Sequence, residues 1–162
     1  MFYEIIVDKQ EKANKCTIVP LADRADFRIY PVKGSLTLGP FEAPILLHHQ
    51  GECLTEIRKT LKNAPGIASI DCVWSRLDPL VAKISAPLPR LAKIPEGFQT
   101  AYPRKSKRDS DPSVGLATIE ALFIAAALLG HWDESLLSKY YFGGQFLEKN
   151  QKRFLELGID PK

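Results

Sequence analysis

Ile67-Ala68-Ser69-Ile70-Asp71-Cys72-Val73-Trp74 decides how the rest of the chain is read, because Ile67–Val73 runs on as an apolar stretch holding a single acid. A strand with one wet face alternates apolar and polar residues. A run without that alternation is covered on both faces, as in a parallel sheet flanked by helices. Upstream, Leu54, Ile57 and Leu61 recur at i, i+3 and i+7 between Glu52 and Lys62, one face of an amphipathic helix. Asn63-Ala64-Pro65-Gly66 stops that helix just before the run. Earlier still, Phe2–Val7 reads as a strand, and Ile29–Val32 and Ser35–Leu38 as strand pieces around a Pro31/Gly34 turn. Ile45–Leu47 is a further strand, bounded by Pro44 and a His48-His49-Gln50-Gly51 loop.

Downstream, Asp78-Pro79 has the pattern of an N-cap followed by proline at the first helical position, opening a helix to about Ile84. Residues 85–112 carry Pro87, Pro89, Pro95, Pro103 and Pro112 and read as irregular. Beyond Ser113 the pattern is helical: 116–129 closed by Gly130, 133–141 capped by Asp133, a break at Gly143-Gly144, and 145–157. Strands and helices mixed in this order predict an α/β protein with a mostly parallel sheet flanked by helices. The length of 162 residues predicts one domain, with an N-terminal α/β part over 1–66 and a second part over 67–162.

Composition narrows the class without choosing a chemistry. With 45% hydrophobic and 25% charged residues, the chain is neither collagen-like nor disordered. Three cysteines at wide spacings, Cys16, Cys53 and Cys72, form neither a disulfide framework nor a tetrahedral zinc pattern. They predict a reducing, cytoplasmic setting. The N-terminus lacks the basic region and cleavage site of a signal peptide. The longest apolar run, Ala121–Leu129, is far short of the about 20 residues a membrane span needs.

The net charge of +3 is unevenly placed. Residues 1–80 balance, residues 81–112 carry +4, and residues 113–162 carry −1. The excess ends in Arg104-Lys105-Ser106-Lys107-Arg108, a cluster able to neutralise phosphates. A solvated loop is the plain alternative, since short basic runs are common.

In open parallel sheets, ligands collect outside the carboxyl ends of the strands. A strand ending in Asp71 and followed by Trp74 puts a carboxylate and a flat π-surface at such an edge. The acid can act as a general base or a charge partner, and the indole can pack on a cofactor or a cation. An acid capping the next turn and a tryptophan in the core would fit the same letters. There is no G-x-G-x-x-G, no Walker loop and no G-x-S-x-G elbow. The histidines His48, His49 and His131 have no partner at metal-ligand spacing, so no metal is expected.

Several segments together resemble one family. Asp8 with Lys15-Cys16-Thr17 and Leu21 is similar to its D…KCT…L element, and Ile70-Asp71-Cys72-Val73-Trp74-Ser75-Arg76-Leu77-Asp78 to its I-D-C-S-W-x-R-L-D block. Leu88-Pro89-Arg90-Leu91 and Leu116-Ala117-Thr118-Ile119-Glu120-Ala121-Leu122 resemble its L-P-x-L and L-S-T-x-E-A-L pair. Tyr141-Phe142-Gly143-Gly144-Gln145-Phe146-Leu147-Glu148-Lys149-Asn150 resembles its F-x-W-G-x-x-F-L-x-x-N ending. The family is that of small-subunit rRNA aminocarboxypropyltransferases of ribosome biogenesis, related to the DTW-domain enzymes of tRNA. Lys93–Lys105 departs from the family's A-N-P-V-N-Y-G stretch and is similar instead to the S-x-Y-x-x-R of DTW proteins. The DTW cysteine cluster and D-x-T-W signature are absent.

The resemblance implies a SPOUT-like fold with a C-terminal trefoil knot, the cofactor bound by the part over 67–162. It implies transfer of the 3-amino-3-carboxypropyl group of S-adenosyl-L-methionine to a uridine or pseudouridine nitrogen in rRNA or tRNA. Carried over by position, Thr17, Leu38 (in Leu38-Gly39-Pro40), Ile70, Trp74, Leu88, Val114 and Thr118 contact the cofactor. Trp74 packs on the aliphatic part of the transferred group. Asp71 lies beside the reacting centre, as the base for the imide proton or as a group that positions Trp74 and the cofactor ammonium. The basic segment then has a purpose: Arg90, Arg104, Lys105, Lys107 and Arg108 meet phosphates, while Tyr102 and Phe98 stack on a splayed base. The expected partners are RNA and the cofactor, with the chain a monomer and no membrane involved. A catalytically inactive RNA-binding or ribosome-assembly module and a SPOUT-like RNA methyltransferase are the alternatives.

Overall fold

A computed structural model describes residues 1–8, 16–32, 37–103 and 115–160. Five parallel strands form one sheet in the order β2-β1-β4-β3-β5: β1 (Phe2–Val7), β2 (Phe27–Pro31), β3 (Ile45–Cys53), β4 (Gly66–Asp71) and β5 (Arg90–Lys93). The apolar run is the central strand β4, and all six of its residues are buried. It pairs with β1 over its whole length, from Phe2 opposite Gly66 to Val7 opposite Asp71. The 1–66 and 67–162 parts therefore share one sheet.

The two-residue period of a strand sorts side chains to two cores. Tyr3, Ile5, Ile45, Leu47 and Ile67 face α1 (Leu54–Leu61), α3 (Thr118–Leu128) and α4 (Gly143–Glu156). Ile6, Leu46, Ala68 and Ile70 face Leu77 and Leu80 of α2 (Trp74–Val81). Helix α3 is apolar all round and almost wholly buried, as its sequence TIEALFIAAAL requires. No helix among the described residues is long and apolar enough to cross a membrane.

Four elements differ from the sequence expectation. Helix α2 starts at Trp74, so Asp78 and Pro79 lie inside it rather than at its cap. Burial of Leu77 and Leu80 against the sheet outweighs the one backbone bond that proline forgoes. Strand β3 does not stop at Leu47: Leu47 and Glu52 both lie opposite Ala92, so His48–Gly51 is an excursion from an otherwise continuous strand. Gly51 makes the return possible, since a Cβ there would sit 2.4 Å from the Ala92 nitrogen. The irregular 85–112 stretch contains β5, an edge strand of four residues that is recognisable only by its pairing with β3. Between Asp133 and Tyr141 there is only a 3-10 turn, Glu134–Leu137; its Asp133 cap accepts from the Ser135 amide at 3.0 Å, as expected. Tyr140 leaves the helical path because its hydroxyl turns inward to Glu120, at 2.9 Å.

Candidate active site at the carboxyl edge of the sheet

Three sequence motifs meet behind the carboxyl end of β4. Asp71 is buried; its Oδ2 accepts from the Cys16 thiol at 2.7 Å and its Oδ1 from the Thr118 hydroxyl at 2.6 Å. Next to Cys16, the Thr17 hydroxyl accepts from the Ile119 amide at 3.4 Å, at the open N-terminus of α3. Burial, with the Asp71 charge second, pushes the Cys16 thiol up to about 12. It is therefore a proton donor to the carboxylate rather than a nucleophile. Asp8, buried at the end of β1, pairs with the Arg76 guanidinium through both nitrogens, Nη2 lying 3.2 Å from Oδ1, and so ties α2 to the sheet.

In front of this cluster opens a cavity of about 800 Å³. Its walls come from the β3 excursion (His48, His49), the end of β4 (Ile70, Cys72), α2 (Trp74, Asp78), the run after β5 (Lys93–Phe98) and the entry to α3 (Gly115–Thr118). The volume falls in the range of about 300–1,000 Å³ typical of small-ligand sites. The indole of Trp74 stands between two neighbours. His49 packs against it at 5.9 Å between ring centroids with the planes 72° apart, and Gly115 approaches so closely that a Cβ there would lie 3.0 Å from Nε1.

The run that forms the outer wall is held from behind by buried polar groups. Glu120, fully buried, accepts from the Thr100 hydroxyl (2.7 Å), the Ala101 amide (2.8 Å), the Ala117 amide (2.8 Å) and the Tyr140 hydroxyl (2.9 Å). Asn150 accepts from the Gln99 amide at 2.7 Å and donates to the Gln99 and Phe146 carbonyls, both at 2.8 Å. Arg153 donates to the Glu96 carbonyl at 3.0 Å. The T-x-E-A letters thus divide their work: Thr118 faces Asp71, and Glu120 holds the wall.

Of the residues singled out from the sequence, Ile70, Trp74, Phe98 and Thr118 line the cavity. Asp71 and Thr17 stand behind it. Leu38 bridges to Ile84 in the second core, and Leu88 is half exposed ahead of β5. Arg90 sits at the amino end of β5, paired with Glu52 at 2.7 and 2.8 Å, whereas the cavity lies at the opposite end of that strand. Tyr102 packs edge-on against Phe142, and Phe98 against Phe154. Val114, Arg104, Lys105, Lys107 and Arg108 lie outside the described residues.

The sequence reading missed His48, His49 and the wall run. Spacing held no sign of them, because the β3 excursion brings the histidines over Asp78, 30 positions away. Potential ligand atoms of His48, His49 and Asp78 fall within 4.8 Å of one another. They make a poor metal centre nonetheless. His48 Nδ1 accepts from the Gln50 amide at 3.2 Å, so its proton sits on Nε2 and is donated to Asp78 at 2.9 Å. Burial lowers the His48 pKa and keeps that ring neutral.

Fold and site together describe a mixed α/β protein with a five-stranded all-parallel sheet and a ligand-sized cavity at its carboxyl edge. Among solved structures the chain is similar to the SAM-dependent rRNA:acp-transferase Tsr3 from Vulcanisaeta distributa, with 22% identity and a TM-score of 0.69 over 98% of this chain and 84% of that one. At that identity the likeness establishes a shared fold. No family model and no curated protein matches the chain.

Proposed function

We propose that the protein transfers the 3-amino-3-carboxypropyl group of S-adenosyl-L-methionine to a uridine or pseudouridine nitrogen of RNA. The observation that carries this is the convergence of the K-C-T, I-D-C-x-W and T-x-E-A segments on one cavity, in a fold shared with an rRNA:acp-transferase. The residues present fit such a cofactor. The cavity is large enough, and Leu47, Ile70, Leu77, Ile94 and Leu116 give it an apolar lining. Trp74 offers a π-face for a cationic or aliphatic group. The Thr118 hydroxyl spends its proton on Asp71, which leaves its lone pairs to accept from an ammonium.

The cofactor supplies an activated carbon next to a sulfonium; the protein selects which carbon is presented. Trp74, Gly115 and Thr118 shape the wall that orients the amino-acid chain, and orientation decides the carbon attacked. Asp71 is the positioning group of this reading. It locks Thr118 and Cys16 in place, and through the 71–74 turn it sets Trp74. The basic run Arg104–Arg108, with Tyr102, takes the phosphates and a base of the RNA, and Val114 borders the cofactor; Leu88, at the amino end of β5 and away from the cavity, has no part in this reading. A trefoil-knotted, SPOUT-like threading, a monomeric single-domain state and a cytoplasmic setting belong to the same reading, on the strength of the family resemblance.

The test uses cofactor labelled separately in the carboxypropyl carbons and in the methyl group. Carboxypropyl label should reach RNA, and cofactor affinity should fall on Trp74→Ala. Methyl label in RNA would identify a methyltransferase, and RNA binding without cofactor binding an assembly module.

A further inference from the structure

Transfer to an imide nitrogen releases a proton, and some group at the cavity must take it. Asp71 is badly placed for this. Only 8% of its surface is exposed, it does not line the cavity, and each oxygen already accepts a short hydrogen bond, from Cys16 or Thr118. The ionisable groups around the cavity are His48 and His49 on β3, Cys72 after β4, Asp78 on α2, and Lys93 and Glu96 across from them. His48 has both ring nitrogens committed, to Gln50 and Asp78. Lys93 is an ammonium, a donor with no acceptor. Asp78 Oδ1 already accepts the His48 Nε2–H at 2.9 Å.

His49 is different. Its ring is exposed, and it stacks on His48 at 4.5 Å and packs T-shaped with Trp74 at 5.9 Å. Its nitrogens make no hydrogen bond among the described residues. The stack beneath it is rigid, because His48 is buried and doubly bonded.

We infer that His49 is the proton acceptor of the transfer, an assignment that rests on the function proposed above. The imide N–H proton passes to an imidazole nitrogen of His49. The nitrogen's electron pair forms the new N–C bond, and the C–S bond breaks with its pair remaining on sulfur. The sulfonium charge is thereby discharged and the imidazolium carries the proton to solvent, so charge and atoms balance. An imidazole suits the task because its class exchanges protons between about pH 5 and 8.

The experiment compares the wild type with His49→Gln and His49→Phe, using the 162-residue chain, S-adenosyl-L-methionine and small-subunit rRNA transcripts made with uridine and with pseudouridine. Both variants should lose about 10²–10⁴-fold in kcat with KM for either substrate within about twofold, and the acid limb of the wild-type rate should disappear. Activity retained in His49→Phe would reduce the ring to packing and overturn the assignment. Tryptophan fluorescence between pH 5 and 8 gives a readout independent of turnover. A transition in the wild type, absent from His49→Gln at unchanged circular dichroism, is expected from an imidazolium forming beside Trp74. No transition, or one surviving in His49→Gln, refutes the assignment. If the wild type transfers no carboxypropyl label, the proposed function fails and takes the proton role with it. Label transfer unaffected by His49→Gln removes His49 alone.

Discussion

Glu120→Gln tests how the outer wall of the cavity is held. The carboxylate accepts from four donors, Ala101 N–H and Tyr140 O–H at Oε1, Thr100 O–H and Ala117 N–H at Oε2, and no group nearby needs a proton from it. Glutamine is nearly isosteric but replaces one oxygen with an NH2. Whichever way the amide turns, it faces one hydroxyl and one backbone N–H. The hydroxyl can rotate and accept; the N–H cannot. One buried amide donor is left against another donor, at a cost of about 1–3 kcal/mol, and the remaining bonds lose their charge assistance. The expected loss is therefore about 2–4 kcal/mol, or about 5–15 °C in Tm for a chain of this size. Urea unfolding should show a lower midpoint at an unchanged slope, because the same surface is exposed on unfolding. Released from Glu120, the 99–102 run should loosen the Pro95–Phe98 wall and weaken cofactor binding more than RNA binding. A loss below about 1 kcal/mol would mean that the network carries no such tension, and the account of the wall would be wrong.

Three further outcomes can be checked. The Cys16 thiol is raised from 9.0 to about 12, so its neutral form contributes stability that is complete below pH 9 and lost as pH rises toward 12. Between pH 8 and 10.5 the wild type should lose more urea resistance than Cys16→Ala; equal losses would sink the idea. Gly51→Ala would drive a Cβ against the Ala92 backbone, so stability should fall by about 1–3 kcal/mol or more and the β5 edge should gain hydrogen exchange. Native-like exchange in β5 would contradict the close crossing. Finally, Arg104→Ala with Lys105→Ala should weaken RNA binding and reduce the salt slope by about two, and an unchanged slope would return the basic run to a solvated loop.

Reading β4 from sequence worked because a strand buried on both faces has no alternation to hide, and Gly66–Asp71 is that case. The presence of β1, α1, α3 and α4 was legible for similarly local reasons, apolar period with glycine and proline stops, although α4 starts at Gly143, inside the expected Gly143-Gly144 break. The β3 excursion and β5 were not. A four-residue strand with charged ends has no periodicity, and it exists only because Ile45–Leu47 and Glu52–Cys53 offer it a pairing edge. The start of α2 was misplaced because Asp-Pro is a strong local signal that packing of Leu77 and Leu80 overrides.

For the site, the letters identified Asp71, Trp74 and Thr118 as belonging together, through the resemblance and through the rule that ligands gather at the carboxyl ends of parallel strands. Sequence alone therefore determined the fold class, the central strand and the segments that meet behind its carboxyl end. Which side chain faces the cavity was a tertiary decision. Asp71 turned inward because two donors from distant segments, Cys16 and Thr118, satisfy it there, and burial of a carboxylate is tolerable only with such partners. His49 turned outward because a strand that leaves and rejoins its sheet carries its side chains out of the alternating register. No pattern along the chain records that departure; only the pairing of β3 with β5 does.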